Sequence, residues 1–265
     1  MDYPSKVSHL ADSDYHSGEA LGSSDLKSIL RSVAHYNYKK ANPVDKVAYN
    51  FGKAFHMAVL EPKRFKSDVV VMPKFTGTGS VMRRDTWAIE NHGKLVINEE
   101  QFVDIHHMKQ SLANHKTAAK LLVGGAAEES FFWQDGETGL PCKARPDYLR
   151  NDGIIIDLKS TQDASFDAFQ RTMLFFNYHL SSAHYLDGIS AVLGKTHETF
   201  LIVAVEKEEP YLTQVFEVDF GAIEKGRELC ARALLKYKNF KDRGFTSGYS
   251  DDIVPISLPP YGFSI

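Results

Sequence analysis

Arg145-Pro-Asp-Tyr-Leu-Arg-Asn-Asp-Gly-Ile-Ile-Ile-Asp-Leu-Lys159 is the stretch on which the reading of this 265-residue chain turns. Ile154, Ile155 and Ile156 form a β-branched apolar run that ends on Asp157-Leu158-Lys159. Asn151-Asp-Gly153 before it is a hairpin turn signal, so the residues up to Leu149 read as the partner strand. Asp147 then lies near the end of one strand, while Asp157 and Lys159, two residues apart, share a face of the next. Charges at the rim of a buried strand are costly without a partner, and a hard cation suits two convergent carboxylates. The competing reading is an ion-pair network, Asp157 or Asp147 with Lys159 or Arg145. Spacing alone leaves both open. An acid two residues before Lys also occurs at Asp25-Leu-Lys27 and Glu61-Pro-Lys63, where a helical or helix-ending setting makes solvated surface charge the plainer reading.

Outward from this hairpin the elements alternate. Residues 129–134 and 140–149 read as strands joined at Asp135-Gly-Glu-Thr-Gly139. Helices follow at 165–178 and 180–193, strands at 199–205 and 212–218, and a helix at 220–241. On the N-terminal side, residues 1–20 are polar and read as a flexible segment. Ser23 or Ser24 is placed to cap a helix running to about Tyr38, ended before Pro43. A second helix, 45–60, carries Val47, Phe51, Phe55 and Val59 at helical spacing, with Pro62 beyond it. Residues 69–72 read as a strand, and 73–80, with Thr76-Gly-Thr-Gly-Ser80, as a flexible loop. Asn98 opens an amphipathic helix bearing Phe102, Ile105, Met108, Leu112, Ala119 and Leu122. The order predicts an α/β fold with one mixed central sheet and helices on both faces. One domain is expected over 21–265, with a helical basic part at 21–125, a sheet core at 126–245 and a tail at 246–265.

Composition bounds the class. With 43% hydrophobic and 25% charged residues the chain is of globular type, not disordered. No stretch of 18 residues lacks polar groups, which argues against a membrane span. Cys142 and Cys230 are the only cysteines, which excludes a four-cysteine zinc or iron–sulfur site within the chain. The N-terminus has no apolar signal region, so a cytoplasmic location is expected. The net charge of −3 argues against a nucleic-acid partner until it is resolved along the chain. Residues 27–120 carry 16 Lys+Arg against 8 Asp+Glu, a net of +8, and the remainder sums to −11. A basic half joined to an acidic half is compatible with phosphate on one surface and a metal in another.

Two further features bear on the acidic hairpin. Gly52-Lys-Ala-Phe-His56 puts an imidazole one turn after a glycine on an apolar helix, and Glu128 precedes the strand before the hairpin. A lone helical His is more often structural, and a Glu-Glu pair is usually surface. Taken together, however, these groups are the parts of metal-dependent phosphodiester hydrolysis: carboxylates and an imidazole for Mg²⁺ or Mn²⁺, and Lys159 to orient water or offset developing charge. Arg145 is placed to touch a phosphate, or to pair with Asp147 or Glu128. Lys74, Arg83 and Arg84 around the glycine loop are candidates for gripping DNA. Ser160 and Thr161 are candidates for phosphate contact at a helix start, with plain capping the alternative.

These motifs resemble a known family. Leu21-Gly-Ser-Ser-Asp-Leu-Lys-Ser-Ile-Leu30, Phe51-Gly-Lys-Ala-Phe-His-Met-Ala-Val-Leu-Glu-Pro62, Cys142-Lys-Ala-Arg-Pro-Asp-Tyr-Leu149 and Ile156-Asp-Leu-Lys-Ser-Thr161 are similar, in order, to exonuclease VIII. That is the RecE-type branch of the PD-(D/E)xK nucleases, more distantly related to the RecB nuclease domain and phage lambda exonuclease. The resemblance spans about residues 20–245. It implies a restriction-endonuclease-like core, with His56, Asp147 and Asp157 as metal ligands helped by the Leu158 carbonyl. It further implies Lys159 as catalytic lysine and Glu128 as the acid of the preceding strand. The implied activity is Mg²⁺-dependent digestion of linear double-stranded DNA from its ends, 5′ to 3′, leaving a 3′ overhang for a single-strand annealing partner. A ring of three or four subunits is implied, and the two cysteines set the chain apart from iron–sulfur relatives. The family's Tyr-His start is followed by Gln and then Tyr. Here Tyr178-His179 leads to Ser181 and Tyr185, so a polar contact is shortened, with Gln170 as a substitute. The helix near residue 32 also lacks the family's Pro after Ser. An inactive DNA-binding scaffold, a structure-specific endonuclease and a metabolic hydrolase are the alternatives.

Overall fold

The computed structural model describes residues 3–42, 47–243, 248–250 and 252–258. The chain begins with strand β1 (Ser5–Val7) and helices α1 (Asp12–Ser17), α2 (Ser23–Arg31), α3 (Val33–Ala41), α4 (Val47–Leu60) and α5 (Pro62–Asp68). Next come β2 (Val69–Val71), α6 (Ser80–Glu90), β3 (Leu95–Ile97), α7 (Glu99–Asn114) and α8 (Lys116–Leu121). The sheet region holds β4 (Gly125–Ala127), β5 (Ser130–Gln134), β6 (Pro141–Ala144), β7 (Tyr148–Arg150) and β8 (Ile155–Thr161). Helices α9 (Phe166–Phe175) and α10 (Tyr178–Leu193), strands β9 (Phe200–Glu206) and β10 (Thr213–Glu217), and α11 (Phe220–Arg243) complete it. Residues 45 and 46 of the second expected helix, and part of the 246–265 tail, lie outside the described residues. No described helix is long and apolar enough to cross a membrane.

The central sheet is ordered β10-β9-β8-β7-β4, with β8 and β9 parallel and the other pairs antiparallel. It is the mixed sheet the element order predicts, covered on both faces. Along β8, Ile156 and Leu158 pack against Phe55 of α4, Met108 of α7 and Ala118 of α8. Ile155, on the opposite face, packs against Phe169 of α9, Leu186 of α10 and Ile223 of α11. Side chains alternate along a strand, so Asp157 and Lys159 share the Ile155 face and lie toward α10. The Asn151-Asp-Gly turn joins β7 to β8, with Gly153 at φ 94°, a conformation open to glycine.

Several expected elements differ, each for a local reason. The strand expected over 140–149 is two: β6 pairs with β5 in a three-stranded sheet ordered β1-β5-β6, and β7 joins the central sheet. Pro146 has no N–H to donate to a ladder, and the chain changes sheets there. Lys143, Arg145 and Asp147 therefore do not alternate along one strand. The helix expected to run to Tyr38 breaks at Ser32, whose extended backbone and Oγ, accepting from the His35 N–H at 3.1 Å, start α3. Gly22 rather than Ser23 or Ser24 caps α2, its N–H donating to Asp25 Oδ2 at 2.9 Å. Asn98 caps α7 as expected, but that helix ends at His115, whose Nδ1 accepts from the Ala118 N–H to open α8. The loop before Ser80 leads straight into α6, and β3 pairs in parallel with β2, neither anticipated. Residues 5–7, read as part of a loose segment, pair antiparallel with β5, and Tyr15 is buried against Phe132.

Candidate active site

Asp147 follows Pro146 in the crossing between β6 and β7, which puts its carboxylate beside β8. The Leu158 N–H donates to Asp147 Oδ2 at 2.6 Å, while Oδ1 faces His56 Nδ1 at 3.4 Å. His56 reaches there from α4, where Ala54, Phe55 and Ala58 bury the neighbouring face against the sheet. Glu128 stands between β4 and β5 in left-handed backbone, φ 55°, and its N–H donates to the Asp147 carbonyl at 3.2 Å. Ligand atoms of His56, Glu128 and Asp147 all lie within 4.8 Å of one another. Asp157 stands outside this trio and pairs with Lys159, Oδ2 to Nζ, at 2.5 Å. Lys159 Nζ also lies 4.0 Å from Asp147 Oδ2 and 3.4 Å from the Leu158 carbonyl oxygen. The ion pairing around Lys159 is present, and beside it lies an acid–imidazole trio in which Glu128, not Asp157, accompanies His56 and Asp147.

The electrostatics separate the carboxyls. Burial opposes ionisation of Asp147, but His56 and Lys159 outweigh it, with the Leu158 N–H adding to them, and hold its pKa at about 2. Burial, then the Asp147 charge, pushes Glu128 up to about 8. Burial disfavours the His56 and Lys159 cations, yet Asp147 raises His56, and Asp157 with Asp147 raises Lys159 above the ordinary lysine range. Burial pushes Asp157 up against the opposing pull of Lys159. One imidazole nitrogen and two carboxylates, mostly hard oxygen donors, fit Mg²⁺ or Mn²⁺. Half-buried Glu128 supports the fit, because the nearby Arg145 is committed elsewhere and a cation would replace the proton that desolvation forces on it.

A cleft of about 690 Å³ opens beside Asp157 and Lys159, bounded by α2, α3 and the start of α10. Ser181 and Tyr185 line it, so the shorter Ser does face the site. Gln170 is exposed on α9 and is not among the lining residues. The residue that sequence reasoning missed is Lys27. It also lines this cleft, and its Nζ lies 5.5 Å from the centre of the Tyr178 ring. Lys159 Nζ lies at the same 5.5 Å from that ring. Burial and the Lys159 charge lower Lys27 to about 8. Asp25-Leu-Lys27 is therefore not solvated surface charge, since Asp25 caps its helix and Lys27 faces the site. The available signal was helical phase. Leu26 and Ile29 mark the buried face of α2, leaving Lys27 and Arg31 together four residues apart.

The remaining candidates lie elsewhere. Arg145 is buried and bonded to Asp12 Oδ1 at 2.8 Å, Ser130 Oγ at 2.9 Å and the Leu10 carbonyl at 3.0 Å. Neither a phosphate contact nor a pair with Asp147 or Glu128 fits that position. Ser160 and Thr161 are the last residues of β8, not a helix start, and Thr161 Oγ1 donates to the Asp163 carbonyl. Arg83 is folded onto its own loop, donating to the Thr76 and Thr78 carbonyls. Arg84 pairs with Asp85 at 3.5 Å and Lys74 with Glu99 at 3.8 Å, all exposed.

Residues 22–256 match the family described as PDDEXK-like domain of unknown function (DUF3799). The chain belongs to this family. The matched span runs across Lys27, His56, Glu128, Asp147, Asp157, Lys159 and Tyr185. Among solved structures, a "Putative exonuclease" from Eubacterium rectale superposes with a TM-score of 0.60 at 14% identity, covering 88% of each chain. At that identity the likeness is one of fold. More remote likenesses are a phage related exonuclease from Haemophilus somnus 129PT and an alkaline exonuclease from Laribacter hongkongensis. The first has a TM-score of 0.37 and 12% identity over 85% of this chain and 96% of that one. The second has a TM-score of 0.31 and 15% identity over 64% and 87%. No curated protein matches the chain.

Proposed function

We propose that this PDDEXK-like protein is a Mg²⁺-dependent exodeoxyribonuclease acting on the ends of linear double-stranded DNA. The observation that carries the reading is the joining of the His56–Glu128–Asp147 trio to the Asp157–Lys159 pair at the foot of a basic cleft. His56, Glu128 and Asp147 would hold the ion, with Asp157 and the Leu158 carbonyl completing the set. A divalent cation there would supply Lewis-acid polarisation of the phosphate and lower the pKa of water. The Leu158 N–H fixes Asp147 as a carboxylate aimed at His56. Asp157 holds the Lys159 ammonium at the cleft wall, where it offsets negative charge developing on the phosphate or orients the attacking water. Lys27 adds a second cation, its Nζ also 5.5 Å from the centre of the Tyr178 ring.

The finer features rest on the resemblance of the four motifs to the RecE-type exonucleases. These are 5′ to 3′ polarity, a 3′ overhang passed to a single-strand annealing partner, Mn²⁺ as a substitute ion, and a ring of three or four subunits. Duplexes labelled at the 5′ or the 3′ end, incubated with Mg²⁺, test the reading. Early release of the 5′ label is expected, together with resistance of closed circular DNA. Lys159→Ala is expected to reduce the rate by about a hundredfold to a thousandfold, comparable to losing one charge-stabilising donor, with the fold retained. Full activity in that variant would overturn the site. Efficient cutting of circles would make the protein an endonuclease, and no nucleotide release at any Mg²⁺ or Mn²⁺ level would make it a scaffold.

A further inference from the structure

Leu174, Phe175 and Phe176 close α9 as three consecutive exposed apolar residues, with Phe175 76% and Phe176 50% exposed. Such a run on a surface is unfavourable in water and needs a use. Its geometry is ordered. Asn177, left-handed at φ 50°, joins α9 directly to α10 and leaves the knuckle projecting. The Phe176 ring stacks on Tyr178, centroids 5.6 Å apart and 16° from parallel, and Phe175 stands edge-on to Phe176 at 4.9 Å. Tyr178 is the ring that Lys159 and Lys27 both approach, each Nζ 5.5 Å from its centre. A row of three rings therefore leads outward from the lysine at the foot of the cleft. Phe176 belongs both to the wall of that cleft and to a shallow outer pocket it shares with Phe175 and Arg171.

The chemistry around the row selects its occupant. Lys27, Arg31 and Lys39 line the same cleft, so an apolar peptide laid along the rings would leave these cations without countercharge. A nucleotide strand brings planar bases for the rings and phosphates for the ammonium and guanidinium groups. We infer that Phe175 and Phe176 form a stacking platform for unpaired bases of the DNA strand that enters the Lys159 cleft. This deepens the nuclease reading above and rests on it. Stacking on these rings holds the strand in register while its phosphate sits beside Lys159.

The test uses the full chain and a duplex with a short single-stranded 5′ end carrying 2-aminopurine, bound in EDTA so that no cutting occurs. Wild type is expected to quench the fluorophore. Phe175→Ala and Phe176→Ala are each expected to bind about tenfold more weakly and to lose quenching. Phe→Trp at either position should restore both, whereas Phe→Leu, apolar but not planar, should restore neither. Wild-type behaviour in the Ala or Leu variants, from a wild type that digests linear DNA, overturns the platform alone. Sedimentation that shows the Ala variants changing subunit number at unchanged DNA affinity also overturns it and makes the knuckle a contact between copies. A wild type that binds and quenches but releases no nucleotide with Mg²⁺ or Mn²⁺ supports the platform and overturns the nuclease. A wild type that neither binds nor cuts overturns both.

Discussion

Glu128 carries much of the site's character in one residue. A non-glycine at φ 55° pays a steric cost, and here that conformation lets its N–H reach the Asp147 carbonyl while its carboxyl joins His56 and Asp147. Burial raises its pKa from 4.5 to about 8, so between those values the metal-free folded protein holds a proton that the unfolded chain has released. The associated stability is full below about 4.5 and is lost as pH rises through about 8. His56, also raised, contributes with the same sign, its part full below 6.5 and lost above its folded value. Asp147 acts oppositely. Its pKa falls from 3.8 to about 2, so its contribution is present above 3.8 and disappears as pH falls through about 2. In EDTA, the Tm of the wild type should therefore fall relative to that of Glu128→Gln as pH rises from about 5 to 8.5. The comparison cancels His16, His179, His184 and His197, whose lowered pKa values act with the opposite sign. A gap between the two that does not change over that interval would show Glu128 ionised in the folded state. Composition and spacing show Glu128 only as half of a Glu-Glu pair, and the family resemblance is needed to single it out, because its surroundings and φ are set by the crossing between β4 and β5.

Some element boundaries with a local signal were legible, though the caps at Gly22 and Ser32 were not. Asn98 capping α7, the turns at 135–139 and 151–153, and the Ile-Ile-Ile run all appear in the structure as their sequences predict, because caps and turns act over three or four residues. Pro146 and Ser32 were equally visible as letters, but the periodic apolar pattern around them runs on through the break. Helix pairing shows a stronger dependence on context. Gly226 of α11 lies where α10 crosses, and a methyl group there would stand 2.1 Å from the His179 carbonyl oxygen and 2.8 Å from Ala183 Cβ. Helix propensity favours Ala over Gly by about 1 kcal/mol, while overpacking of a close crossing costs about 1–3 kcal/mol or more. Contacts this short with backbone put overpacking ahead. Gly226→Ala should thus lower the urea midpoint by a net loss of about 1–2 kcal/mol. A neutral or stabilising result would mean that the α10–α11 packing has slack.

At the scale of the whole molecule, the parts are tied together through Asp12. Its carboxylate meets Arg145 at 2.8 Å and Lys53 of α4 at 2.8 Å, linking the first helix to the β6–β7 crossing and to the helix that carries His56. The Arg145 side chain is only 8% exposed, so removing its partner strands a buried cation. With Asp12 itself one-third exposed, Asp12→Ala should cost about 2 kcal/mol, below the full penalty for breaking a buried pair. Urea unfolding measures it, and a loss under about 0.5 kcal/mol would show that the Asp12 link does not hold residues 3–18 to the sheet. The sequence by itself determined the class of sheet, the hairpin that carries Asp147, Asp157 and Lys159, and the family, because these depend on side-chain period, turn residues and ordered motifs. Only tertiary structure decided that Glu128 rather than Asp157 groups with His56 and Asp147. It also decided that Arg145 serves the N-terminal segment and that Lys27 and Phe176 line the cleft, with Phe175 just outside it. The reason is distance along the chain. Charges and rings find partners from tens to more than a hundred residues away, as His56 with Asp147 and Arg145 with Asp12, and which partner is met follows from how the sheets and helices close on one another.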